Sequence, residues 1–325
     1  MTGVVGEPAE TERSDALSVT AQIPVVDDYA VGPQDPNPPD EAPPPEPPPE
    51  PPSELQTAHL GQINHIQGAA AAAVLAIGLA IASKLGVTPL LIGIAVVQGL
   101  LVVSWVFGTA LPGRIGGLVI GGLAAGGADV MVSRWPHGQL GTLLGVLGLA
   151  IPAMFVHQLT RGVVRTRVVE SLSDIALMVV AVVGCAALMQ LRHETLGALM
   201  TSGFVLAAGA ALVAGHLVDL FFPKMLFDPD VPRGLLAVVA GAMAGAVACF
   251  LRLHNSFEFD HKRSIIVGGA LGALVSLFAI GAAFVEQSLP AGRRPVAVAR
   301  PVASVLISFG LLVPIGYLLC LTIRA

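Results

Sequence analysis

A few polar residues sit where the surrounding chain is apolar, and these are the positions that could do chemistry. Asp129 lies five residues before Arg134, in a segment that continues Trp135-Pro136-His137-Gly138. Asp129 and Ser133 fall on one helical face, and Arg134 could reach back toward the carboxylate. Such a group binds an ion or a headgroup. Its plainer role is an interfacial pair held beside a tryptophan anchor. His216 and Asp219 are three apart and project from one face of a helix. A carboxylate beside an imidazole orients its tautomer or relays a proton. The stretch His254-Asn-Ser-Phe-Glu258-Phe-Asp260-His261 gathers four potential ligands in eight residues. Its spacing matches no metal motif, so a solvated loop is expected, and neither a metal nor a cofactor is assigned.

Catalytic constellations are missing from the sequence. There is no P-loop, no HExxH, no dinucleotide fingerprint and no nucleophile elbow. Ser202 and His216 are fourteen residues apart on one helix, about 21 Å by rise, too far for a dyad. Two side chains at positions 216 and 219 are too few for a metal. No catalytic residue is assigned, and the balance leans away from an enzyme.

The elements around these residues are membrane spans. Of 325 residues, 54% are hydrophobic and only 12% charged, and mean hydropathy is +0.78. Soluble domains carry about 25% charged residues, so a polytopic membrane protein is the leading class. Nine apolar runs follow residue 65, at 67–83, 88–108, 115–133, 140–158, 172–191, 196–219, 234–251, 264–285 and 302–322. Each has the length that crosses about 30 Å of hydrocarbon. Ala, Leu, Val and Gly dominate and period-2 alternation is absent, so helices fit and a β-barrel does not. The expected fold is an all-α bundle of about nine transmembrane helices over 63–325, behind a disordered, acidic, Pro-rich tail over 1–62.

The third run reads Gly116-Gly117-Leu-Val-Ile-Gly121-Gly122-Leu-Ala-Ala-Gly126-Gly127. It holds two pairs of small residues four apart, Gly117 with Gly121 and Gly122 with Gly126. Such pairs let helix backbones approach closely, so tight packing inside the fold is expected. Cys185, Cys249 and Cys320 each fall in an apolar run and read as small buried hydrophobes.

With nine spans the chain ends on opposite sides. The short connections carry nine Lys/Arg on the side of the N-terminus and seven on the other. That favours a cytoplasmic N-terminus in the inner (plasma) membrane. Arg161-x3-Arg165-x-Arg167 forms a basic cluster on the first of these sides and is expected to touch anionic lipid. No connection is long enough for a further domain, so function lies in the bundle, its loops or the tail.

The first sixty residues hold one basic and twelve acidic residues, net −11, and fourteen of the chain's 25 prolines. No cleavable signal peptide is visible there. Pro43-Pro44-Pro45-Glu46-Pro47-Pro48-Pro49-Glu50-Pro51-Pro52 has few backbone donors and little to bury, so disorder with polyproline II character is expected. Within the tail, Thr20-Ala-Gln-Ile23-Pro24-Val25 puts an aliphatic residue at +3, a proline at +4 and an aliphatic residue at +5. Over about ten residues this is similar to the substrate sites of the bacterial eukaryotic-like Ser/Thr kinases. The resemblance implies phosphorylation at Thr20, which would add about −1.5 to −2 charges and recruit a phosphothreonine-binding module.

The expected function is therefore a non-enzymatic organiser or regulator of cell-envelope machinery with a phosphorylatable docking tail. Its partners would be membrane lipids, a kinase or phosphothreonine module, and envelope proteins; nucleic acid is not expected. The alternatives are a transporter or flippase using Asp129 and His216/Asp219, and then an intramembrane enzyme acting on a lipid-linked substrate. Convergence of those polar residues on one cavity would favour the alternatives.

Overall fold

The structure is a computed structural model that describes residues 54–136, 140–161, 167–222, 234–256, 259–287 and 295–322. Side chains are described from residue 62, and those of 286 and 287 are excluded. Thr20 and the proline run lie outside the described residues. The helical unit contains nine helices among them: α1 (Glu54–Leu85), α2 (Val87–Gly108), α3 (Arg114–Arg134), α4 (Gly141–Thr160), α5 (Val168–His193), α6 (Gly197–Phe221), α7 (Leu235–Leu253), α8 (His261–Gln287) and α9 (Ala299–Leu321). All nine are long and apolar enough to cross a membrane, and the chain is a multi-pass membrane protein. Each expected span falls on one helix. The short, Ala-rich first run is the tail end of a longer helix, whose spanning part is Gln62–Leu85.

In hydrocarbon no water pairs with the backbone, so each segment closes its own hydrogen bonds and the turns are compressed to the ends. The connection from α1 to α2 is one residue, Gly86, with φ +140°, a conformation open to glycine and strained for L side chains. Pro89 then lies in the first turn of α2, where a missing N–H leaves no intrahelical bond unmade.

Contacts at the helix ends fix an up-and-down order. On the side where α1 begins, here the N-side, the Val296 amide donates to the Phe107 carbonyl at 3.0 Å, joining the end of α2 to the start of α9. On the far side, Arg192 donates to the Ser83 carbonyl at 3.3 Å, and Tyr317 donates to Glu194 at 3.2 Å. Helices α5 and α9 pack on each other and are the most enclosed, whereas α3, α4 and α7 are peripheral. The core includes Trp105, Phe204 and Phe309, each with 1% exposure or less.

Helices α7 and α8 cross closely, backbone on backbone. A Cβ on Gly245 would strike the Gly268 carbonyl and come within 3.0 Å of the Gly272 Cα. A Cβ on Gly268 would lie 2.6 Å from the Gly245 carbonyl, and one on Gly272 would strike Gly241. The pairs Gly241/Gly245 and Gly268/Gly272 therefore interlock backbone to backbone, as small residues four apart do in membranes.

The two glycine pairs of α3 separate. Gly117 and Gly121 are buried, and a Cβ on Gly121 would meet Val102 at 2.8 Å and Met178 at 2.9 Å. Gly122 and Gly126 are exposed, with nothing within 4 Å of an added Cβ. Only the first pair packs inside the fold. The two pairs are offset by about 140° around the helix, and α3 packs on α2, α4 and α5 without being surrounded.

Candidate functional site

Asp129 is half-buried on α3, near its far end. Ser133 shares its face as the spacing required, and its hydroxyl donates to the Asp129 backbone carbonyl at 2.7 Å. Arg134 does not complete the group. It is exposed, and no ion pair joins it to Asp129 among the described residues. Five residues rotate a helix by about 140° beyond a full turn, so the guanidinium stands on another face. Trp135 is 53% exposed at the helix end, as an interfacial anchor is; residues 137–139 lie outside the described residues.

What Asp129 meets instead is Gln98 of α2, whose amide interacts with the carboxyl group. Gln98 is fully buried and donates from Nε2 to the Val182 carbonyl of α5 at 3.0 Å. Gln98 Oε1 and Asp129 Oδ1 are both buried without a hydrogen-bond partner. Cys185 of α5 lies close enough to Asp129 to interact electrostatically. This small polar node, inside the α2–α3–α5 packing, was missed in the sequence. Its signal was a lone glutamine within the second apolar run.

His216 and Asp219 share a buried face of α6, each 4% exposed. The His216 ring packs on α1. It lies 5.9 Å from the His65 ring centroid, and a Cβ on Gly68 would overlap it. The pair is near the N-side end of α6, whereas Asp129 is near the far end of α3. The helical rise places the two levels roughly 15–20 Å apart along the bundle. Their main neighbours also differ, α6 packing chiefly on α1, α7 and α8 and α3 on α2, α4 and α5, with α5 the one helix that touches both.

Two intramembrane grooves are lined by other residues. One, of about 420 Å³, lies between α3 and α4 and includes Ile120, Leu123, Leu149 and Ala153. The other, between α1, α6 and α7, includes Ala76, Ile77, Leu206, Gly209 and Ala248. Asp129, Arg134, His216 and Asp219 line neither of them.

The described ends of the His254–His261 segment cap their helices. Asp260 Oδ1 accepts the backbone N–H of Lys262 at 2.8 Å and of Arg263 at 3.3 Å, closing the start of α8. His261 Nε2 lies 3.0 Å from the His254 carbonyl, and Phe250 packs against both imidazoles. Among the described residues no three His, Cys, Asp or Glu side chains are grouped to hold a metal; Glu258 lies outside them.

The backbone N–H groups of Arg263 and Lys262 hold the Asp260 carboxyl below its ordinary value. A depressed folded value means that the cap's contribution is present above the usual carboxylate range. It is lost as pH falls through the folded value. Between roughly pH 6 and pH 3, the melting temperature of the wild-type chain in detergent should fall more than that of Asp260→Ala. Parallel curves would contradict the cap.

The chain matches no family model, no curated protein and no solved structure.

Proposed function

We propose that this chain is a non-enzymatic organiser or regulator of cell-envelope machinery, with the acidic, Pro-rich tail as its docking element. The observation that supports this reading is the separation of Asp129 from His216/Asp219. A coupling or catalytic centre needs its polar groups around one cavity. Here they lie at opposite ends of the bundle, and the two intramembrane grooves are lined by other residues. The tail is then the largest element able to recruit a partner. Phosphate at Thr20 would create a ligand for a phosphothreonine-binding module. The inner (plasma) membrane with a cytoplasmic N-terminus, favoured by nine basic residues against seven, would give a kinase access to it.

Transport is the second reading. The buried Asp129–Gln98 pair, with two partnerless oxygens, is the observation that favours it. One cellular experiment separates the two. Deleting residues 1–53 should reproduce the envelope defect of losing the whole chain, at unchanged membrane levels, while Asp129→Asn should leave function intact. Function that survives without the tail but is lost in Asp129→Asn would reverse the choice.

A further inference from the structure

At the N-side corner of α3, α4 and α5, a buried chain of neutral groups holds an arginine in place. Arg161, immediately after α4, donates from Nη1 to Gln158 Oε1 at 3.0 Å. Gln158 Nε2 donates to Ser171 Oγ at 2.9 Å, and Ser171 Oγ donates to the Pro112 carbonyl at 3.2 Å. Gln158 is 4% exposed and Ser171 fully buried, so the relay is rigid and carries no charge.

His157 stands beside this arginine. A Cβ on Gly116 would overlap its ring, so the imidazole is packed against the first turn of α3. His157 Nε2 and Arg161 Nε converge on Gly113, at 3.0 Å and 3.3 Å from where its Cβ would be. Arg114 is exposed next to Gly113, with its guanidinium over the Phe107 ring at 5.6 Å. Among the described residues none of the three forms an ion pair with a carboxylate, and His157 Nε2 is buried without a hydrogen-bond partner. His157 and Arg161 thus meet at Gly113 at a membrane boundary, the next residue carries a second exposed guanidinium, and among the described residues no carboxylate pairs with them.

The apolar groove between α3 and α4 starts one helical turn deeper. Ile120 follows Gly116 by four residues on α3, and Ala153 precedes His157 by four on α4. From there it runs along Leu123, Val146 and Leu149 toward Met131 and Gly145, on the outer face of two peripheral helices. A cationic corner one helical turn from an apolar trough between α3 and α4 has the spacing of one molecule's head and chain.

We infer that this corner and groove form a binding site for an anionic phospholipid, its phosphate between Arg161, His157 and Arg114 and an acyl chain between α3 and α4. Arg161 supplies charge-assisted hydrogen bonds from a pre-set orientation, and the apolar trough makes a lipid a better occupant than a free phosphate ion. The site is independent of the tail's role.

The test is native mass spectrometry of the full chain in detergent, titrated with phosphatidylglycerol, phosphatidylcholine or inorganic phosphate. Phosphatidylglycerol should be retained in preference to phosphatidylcholine, and Arg161→Gln should weaken it roughly tenfold, the loss of one charge-assisted contact. Arg167→Gln, whose native side chain pairs with Glu170 at 3.9 Å, should bind as wild type. Ala153→Phe fills the groove without touching the charges and should also lose the lipid. It serves if Arg161→Gln does not fold. Equal retention of the two lipids, or undiminished binding in a folded Ala153→Phe chain, would overturn the site. So would full displacement by millimolar phosphate, which would assign the corner to a free anion.

Discussion

Trp105→Ala is expected to lower stability by about 3–5 kcal/mol, the largest single-residue effect in the molecule. Trp105 is fully buried and its indole N–H donates to the Asp174 carbonyl at 3.0 Å, tying α2 to α5. In a bilayer the lipid chains are as apolar as the core, so helix association rests on packing and interhelical hydrogen bonds. Truncation removes both. It leaves a cavity where α5 meets its neighbours and a carbonyl without its donor. Trp105→Phe keeps most of the volume and loses the hydrogen bond, so it should cost only a fraction of that. The check is denaturant titration in mixed micelles, followed by helical circular dichroism. An Ala variant no weaker than the Phe variant would contradict the packing account.

The second large effect belongs to the α7–α8 crossing. Gly245→Leu and Gly272→Leu should each push the two helices apart, at a cost of about 1–3 kcal/mol or more. The atoms opposing the new side chain are the backbone of Gly268 and Gly241, which cannot rotate away. Gly126→Leu, on the open face of α3, should leave the melting temperature almost unchanged. Melting of the three variants in one detergent makes the comparison. Equal shifts for Gly126 and Gly245 would mean that the crossing is not as described.

The same comparison shows what the sequence can disclose. Span number and position were legible, because bilayer thickness converts directly into apolar run length. Spacing alone did not tell inward glycines from outward ones. Gly117/Gly121 and Gly122/Gly126 have the same period, and only neighbouring helices on one side of α3 distinguish them. The interlocked pairs on α7 and α8 have the same spacing in a less glycine-dense setting, so their packing was not legible from spacing alone. The face shared by His216 and Asp219 followed from helical periodicity. Partners across helices did not: Gln98 with Asp129 and Gln158 with Ser171 depend on which helices touch. In both cases the visible trace was a lone amide inside an apolar run. The proposed pairing of Arg134 with Asp129 failed for a local reason, since five residues do not return to the same face.

The central claim is that the tail docks a protein partner while the bundle anchors it. The most direct measurement is native mass spectrometry of the chain extracted gently from its own membrane, with and without residues 1–53. The account predicts a stoichiometric protein partner on the full chain that vanishes with the tail. A chain that carries no protein partner, and instead retains a solute released by Asp129→Asn, would contradict it.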